Sequence, residues 1–178
     1  MKNLVNLLFE TQHLKRIKHE WRMAVQFPDS VAEHSLNAAQ IYIIAQLEAD
    51  PEKVCTILVR HDMAETRIDM HKVASRYIRG KKEAEIQVMK EQFDVPEESI
   101  MSLFKEYEER ETLEVIAKDA DYLEQAFQAK IYVEQYARAQ NRIDNVKALQ
   151  TESAKKIREE MTRSSSTDRR QLKKIDTK

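Results

Sequence analysis

Leu58-Val59-Arg60-His61-Asp62-Met63-Ala64-Glu65 is the stretch on which the reading of this chain turns. Upstream, Asp50-Pro51 pairs an N-cap with a first-turn proline, so a helix is predicted from about Pro51 to Glu65. At helical spacing Val54, Ile57, Leu58 and His61 share a face, while Lys53 and Arg60 lie opposite. His61 therefore points inward with Asp62 beside it, one imidazole nitrogen and one carboxylate oxygen from a single turn. An isolated buried histidine is ordinarily a hydrogen-bonded core residue; only its company makes it a metal ligand.

Two other blocks supply that company. Ser30-Val31-Ala32-Glu33 is a capping-box pattern that starts a helix running to about Ala49, with His34 in its first turns. A long helix from about Thr112 to Ala139 carries Ile116, Leu123, Phe127, Ile131 and Val133 toward the core. Asp121 falls within its apolar pattern, where an unpaired carboxylate would be costly. Two histidines and two aspartates suit a divalent transition ion and leave positions open for water or a phosphate oxygen. That donor set points to metal-assisted hydrolysis.

The rest of the chain frames this site in helices. With 178 residues it is about one domain long. One glycine and three prolines leave almost no breakers, which predicts a nearly all-helical protein and excludes glycine-rich phosphate loops. Leu4, Leu7, Leu8 and Phe9 predict a first helix to about Ile17, followed by a loop from Lys18 to Asp29 anchored by Trp21. Further helices are expected over about Met70–Arg79, Lys81–Phe93, Pro96–Tyr107 and Ile143–Met161. Residues 1–162 read as one domain and 163–178, with Ser164-Ser165-Ser166-Thr167 and a basic cluster, as a flexible tail. Charged residues make up 34% of the chain, but the formal charge is only −1, which argues against a nucleic-acid polymer as partner. A single cysteine, Cys55, fits a small apolar filler and a reducing cytoplasm, and no stretch is long enough to span a bilayer. Methionines such as Met63, Met89 and Met101 read as fillers between helices.

The ordered set His34, His61-Asp62 and Asp121 resembles the H…HD…D signature of the HD-domain metal-dependent phosphohydrolases. Leu14-Lys15-Arg16-Ile17-Lys18-His19-Glu20-Trp21, Asp29-Ser30-Val31-Ala32-Glu33-His34-Ser35, Val59–Glu65 and Lys118-Asp119-Ala120-Asp121-Tyr122-Leu123-Glu124 resemble the branch containing the bacterial 5′-deoxynucleotidase. The likeness covers roughly residues 4 to 140. It implies an all-α HD-domain helical bundle with peripheral C-terminal helices, and one divalent ion (Mn, Co, Zn, Fe, Ni or Mg) held by His34, His61, Asp62 and Asp121. Asp119 competes for the fourth place; the resemblance favours Asp121, three residues after Lys118, and leaves Asp119 as a solvated or network-forming side chain.

The same resemblance implies that Glu65 handles protons at the attacking water, with Asp69 as the second acidic residue. Relatives place a Gly-Asp pair five positions after the glutamate; here Asp69 stands at four with no preceding glycine, so either the loop is a residue shorter or Met70 takes the acidic slot. Without that role Asp69 would cap a helix beginning at Met70. Phosphate and nucleoside contacts are expected from Arg16, Lys18, Trp21, Arg22, Lys72 and Arg76. Glu20 replaces the arginine that precedes the tryptophan in the deoxynucleotidase, and Trp21 either stacks on a base or seals the core. His71 reads as a surface or supporting residue, and His13 and His19 fit no ligand spacing. The expected substrate is a small phosphorylated molecule, a nucleoside or deoxynucleoside 5′-monophosphate, and the expected assembly a homodimer. Rival readings are a hydrolase of nucleoside triphosphates, signalling nucleotides or phosphodiesters, and a non-catalytic helical protein whose metal is structural.

Overall fold

Capping chemistry sets the start of the helices that carry the site. The computed structural model describes residues 2–19, 27–45, 47, 50–69, 77–92, 112–135 and 148–167. Within these lie α1 (Lys2–Thr11), α2 (Val31–Ala45), α3 (Pro51–Arg60), α4 (Glu65–Ile68), α5 (Lys81–Gln92), α6 (Thr112–Gln135) and α7 (Glu152–Arg163). No strand occurs among the described residues; an isolated antiparallel bridge joins Lys18 to Ser30. None of the helices is long and apolar enough to cross a membrane. The fold is all-α, as the composition predicts.

At the head of α2 the expected capping box forms. The Ser30 amide and hydroxyl both donate to Glu33 Oε2 at 2.7 Å, and the Glu33 amide donates back to Ser30 Oγ at 3.2 Å. Asp50 caps α3 by accepting from the Glu52 and Lys53 amides. α2, α3 and α6 pack on one another, α7 lies against α6, and α4 against α5. The first three share a core of Ala38, Tyr42, Val54, Leu58, Ile116 and Ala120.

Several boundaries differ from the sequence reading. The first helix stops at Thr11 and turns occupy 12–16; Leu14 joins the core with Val31 and Met63, and of the α1 stripe Leu7 packs against that cluster. Leu4, Leu8 and Phe9 stay exposed. α2 ends at Ala45 rather than Ala49. The helix at Pro51 ends at Arg60, not Glu65, because His61 Nδ1 donates to the Leu58 carbonyl at 2.8 Å. A continued helix would offer that carbonyl to the Asp62 amide. Tighter turns follow, with Met63 N bonded to Arg60 O and Glu65 N to Asp62 O. Residues 77–80 form a turn and not the end of a helix; 70–76 and the helix expected over 96–107 lie outside the described residues.

On α6 the expected apolar face is redistributed. Ile116 and Leu123 are buried, but Phe127 and Ile131 are more than a third exposed, lining a groove of about 680 Å³ beside α7. Ala117, Ala120, Ala126 and Ala129 take the fully buried places, since small side chains let helices approach on two sides. The last helix begins at Glu152 behind a Thr151 N-cap, where the sequence placed 148–151 already inside it. After α7 the chain stays on α6: the Ser166 amide donates to Glu134 Oε1 at 3.0 Å, and its hydroxyl also meets that carboxylate.

Candidate metal centre

α2, the turn after α3, and α6 aim donors at one buried point. The His34 ring is fully buried in the first turn of α2. Its Nδ1 pairs with Glu124 Oε2 at 2.5 Å, so that nitrogen is committed and Nε2 faces the other way. Asp121 Oδ1 lies 3.1 Å from Nε2 and Asp62 Oδ2 3.8 Å. Neither contact is directed as a hydrogen bond, and Nε2 is a buried polar atom without a partner. His61, with Nδ1 held by Leu58, turns Nε2 to Asp62 Oδ2 at 3.2 Å. Ligand atoms of His34, His61 and Asp121 all lie within 4.8 Å of one another, as do those of His19, His34 and Asp62.

The charges in this pocket are coupled. Burial disfavours a charged His34, yet the neighbouring Asp121 and Glu124 carboxylates outweigh it and lift the ring well above the usual histidine range. Burial likewise opposes charge on His61, and Asp62 more than offsets it. Asp62 and Asp121 are both held below the carboxylate range despite desolvation, by His61 and His34 respectively. Two imidazoles drawn toward protonation beside two carboxylates held ionised describe a pocket that favours added positive charge. A divalent cation answers that demand with nitrogen and oxygen donors. Asp62 keeps 24% of its side chain exposed, so the cluster opens to solvent on its side.

Asp119 and Asp121 part company here. Asp119 accepts from the Gln150 amide at 3.0 Å, the Thr151 amide at 2.7 Å and the Thr151 hydroxyl at 2.7 Å, binding α6 to the start of α7. Asp121 faces His34, with Gln125 Nε2 donating to Oδ1 at 2.8 Å and Lys118 Nζ 3.4 Å from Oδ2.

The acidic residues after the cluster also differ from each other. Glu65 opens α4 half-buried, and desolvation raises its pKa against the pull of Lys81, whose Nζ lies 3.3 Å away. Lys81 also meets Glu85 at 3.1 Å. Asp69 is exposed at the C-cap of α4 with φ 38° and ψ 48°, a left-handed conformation that a short polar side chain tolerates. Its amide donates to Glu65 O at 3.1 Å. Arg16 is exposed, and Lys18 Nζ donates to the Pro28 carbonyl at 3.1 Å. Trp21, Arg22, Met70, His71, Lys72 and Arg76 lie outside the described residues.

Sequence reasoning missed three neighbours. Glu124 holds His34 across ninety positions of chain, and Lys81 reaches Glu65 from another helix. His19 stacks on His34 with ring centroids 3.9 Å apart and 7° between planes. Only the Lys81–Glu85 spacing was readable locally, and it says nothing of Glu65.

With this geometry in view, kinship is direct. A family model for the HD domain matches residues 11–163. The chain belongs to the HD-domain family. The match takes in every donor of the cluster. A structural-genomics crystal structure is 31% identical to this HD-domain chain with a TM-score of 0.73, covering 92% of it and 95% of its own length. A conserved hypothetical protein from Pyrococcus furiosus is 29% identical with a TM-score of 0.73, covering 90% and 99%. A protein from Magnetospirillum magnetotacticum, described as a predicted metal-dependent phosphohydrolase, shares the fold at 19% identity and a TM-score of 0.63, covering 91% and 95%. No curated protein matches the chain.

Proposed function

We propose that this HD-domain protein is a metal-dependent phosphohydrolase that releases phosphate from small phosphate monoesters, above all nucleoside or deoxynucleoside 5′-monophosphates. The observation that carries the reading is His34 Nε2, buried without a partner between Asp121 and Asp62. Such an atom is costly unless a cation completes it. His34, His61, Asp62 and Asp121 would hold one divalent ion, of Mn, Co, Zn, Fe, Ni or Mg. When bound, that ion supplies a Lewis acid for a phosphoryl oxygen and lowers the pKa of a water.

The remaining work falls to side chains. Glu124 and the Leu58 carbonyl orient the two imidazoles. Glu65, its proton affinity raised by burial, takes the proton of the attacking water while Lys81 holds its carboxylate in place. Asp69 is assigned the second acidic role, reached through the turn that its amide closes on Glu65. Arg16, Lys18, Trp21, Arg22, Lys72 and Arg76 are assigned to phosphate, sugar and base. The monophosphate substrate and a homodimer follow from the four sequence blocks that resemble the deoxynucleotidase branch, and the cytoplasmic setting from the single cysteine, Cys55.

Phosphate release from nucleoside mono-, di- and triphosphates and a phosphodiester, each with Mn²⁺, Co²⁺, Mg²⁺ and Zn²⁺, tests the proposal. Release from 5′-monophosphates is expected. Activity confined to di- or triphosphates sinks the substrate, and none with any ion sinks the hydrolase.

A further inference from the structure

α4 is a single turn with an acidic residue at each end, and little in it is self-supporting. It spans four residues, and Ala64 at its N-cap makes no side-chain capping bond. An isolated turn fixes more dihedral freedom than its few hydrogen bonds repay. The chain's single glycine is Gly80, so the left-handed φ of 38° falls on Asp69 itself. Such a conformation persists only where the surroundings over-determine it. Resting on the phosphohydrolase reading above, we infer that Glu10 of α1 and Arg67 of α4 are positioning residues, which together fix the turn that presents Glu65 and Asp69.

The Arg67 guanidinium forks onto Glu10, with Nε 2.6 Å from Oε1 and Nη2 2.8 Å from Oε2. Its Nη1 donates to Glu91 Oε2 on α5 at 3.0 Å. A bidentate pair fixes direction as well as distance. Glu10 Oε1 also accepts from the Thr66 hydroxyl at 2.9 Å and from Gln92 Nε2 at 2.7 Å. Gln92 is buried and donates to Thr66 Oγ1 as well, at 2.8 Å. α1, α4 and α5 therefore meet at one carboxylate. Hydrogen bonding from Arg67 above all lowers the Glu10 pKa from 4.5 to about 2, against the opposing effect of burial, so the clamp stays ionised at neutral pH. About 200° of helix rotation separates Arg67 from Glu65, so the clamp grips the side of the turn away from the Lys81–Glu65 pair. Ile68 adds an apolar contact to Ala64 and Met89. Held on opposite sides, the turn cannot rotate about its axis. No member of the clamp belongs to the donor groups around His34.

Two measurements on the full chain test this. Arg67→Met removes the fork but keeps an apolar stem, and Glu10→Gln keeps the side chain's shape without its charge. In metal-free protein the Asp69 amide, which donates to Glu65 O, is expected to exchange its hydrogen at least about tenfold faster in Arg67→Met, with α6 amides unchanged. With Co²⁺ and deoxyadenosine 5′-monophosphate, kcat is expected to fall at least about tenfold in Arg67→Met and less in Glu10→Gln. KM and the Co²⁺ Kd should stay within about twofold of wild type. Lys155→Met, which breaks an exposed ion pair with Glu152 on α7, is expected to change none of these. Unchanged Asp69 exchange, or wild-type kcat in a folded Arg67→Met, overturns the positioning role. So does a loss of Co²⁺ affinity in step with kcat, which makes the clamp a general prop of the fold. If Arg67→Met does not fold, Glu10→Gln decides by the same criteria. Wild-type chain that releases no phosphate with any ion overturns the phosphohydrolase reading instead, and the positioning role with it, even where the Asp69 amide responds to the clamp.

Discussion

Two aspartates on α6 lie two residues apart, equally buried, and do opposite things. Asp119 is 1% exposed and Asp121 4%, but about 200° of helix rotation separates them. Asp119 faces the start of α7, where two backbone amides and a hydroxyl donate to it. Asp121 faces His34 Nε2, which has no directed partner. Burial by itself therefore does not mark a functional carboxylate. Saturation by backbone donors makes a tether; an unfinished set of neighbouring donors makes a site.

Replacing each in turn is the strongest way to break that contrast. Asp121→Ala is expected to abolish stable ion binding and lower kcat/KM by on the order of a thousandfold, since metal catalysis is worth several kcal/mol. Asp119→Ala should instead cost about 3 kcal/mol in urea unfolding, from buried donors left unpaired, with ion content retained. Metal loss in Asp119→Ala but not in Asp121→Ala would reverse the assignment.

Asp29 is the mixed case that sharpens the comparison, with Oδ1 satisfied by Tyr132 and Oδ2 not. Burial, then Glu124, pushes its pKa from 3.8 up to about 6. The native state thus keeps a proton that the unfolded chain releases near 3.8, and this contribution to stability is lost as pH rises through about 6. In metal-free protein Asp29→Asn should gain roughly 1–3 kcal/mol on the wild type between pH 4 and pH 7. Equal pH slopes in urea titrations would show that Asp29 does not titrate in this way. Smallest of the three, Glu124→Gln should weaken Co²⁺ binding about tenfold in a chelator competition, as loss of an orienting carboxylate does. An unchanged Kd would make Glu124 a tether like Asp119.

Much of the fold was legible because its signals are local. The Ser30–Glu33 box and the Asp50-Pro51 start span four residues or fewer, and both form as read. The His34, His61, Asp62 and Asp121 set was legible as a pattern. The end of α3 was not, because a side chain takes the Leu58 carbonyl from the helix. Nor was the α6 face: periodicity selects Phe127 and Ile131, but closely packed neighbours select alanine.

Residue order alone determined that the chain is helical, where its capped helices begin, and which side chains could bind a divalent ion, since propensity and capping act within about one turn. Tertiary structure alone decided that Asp119 ties α6 to the start of α7, that Glu124 holds the His34 ring, and that His19 and Lys81 join the neighbourhood. Those choices depend on how α2, α3 and α6 rotate to bury their faces against one another, and no window of sequence contains that rotation.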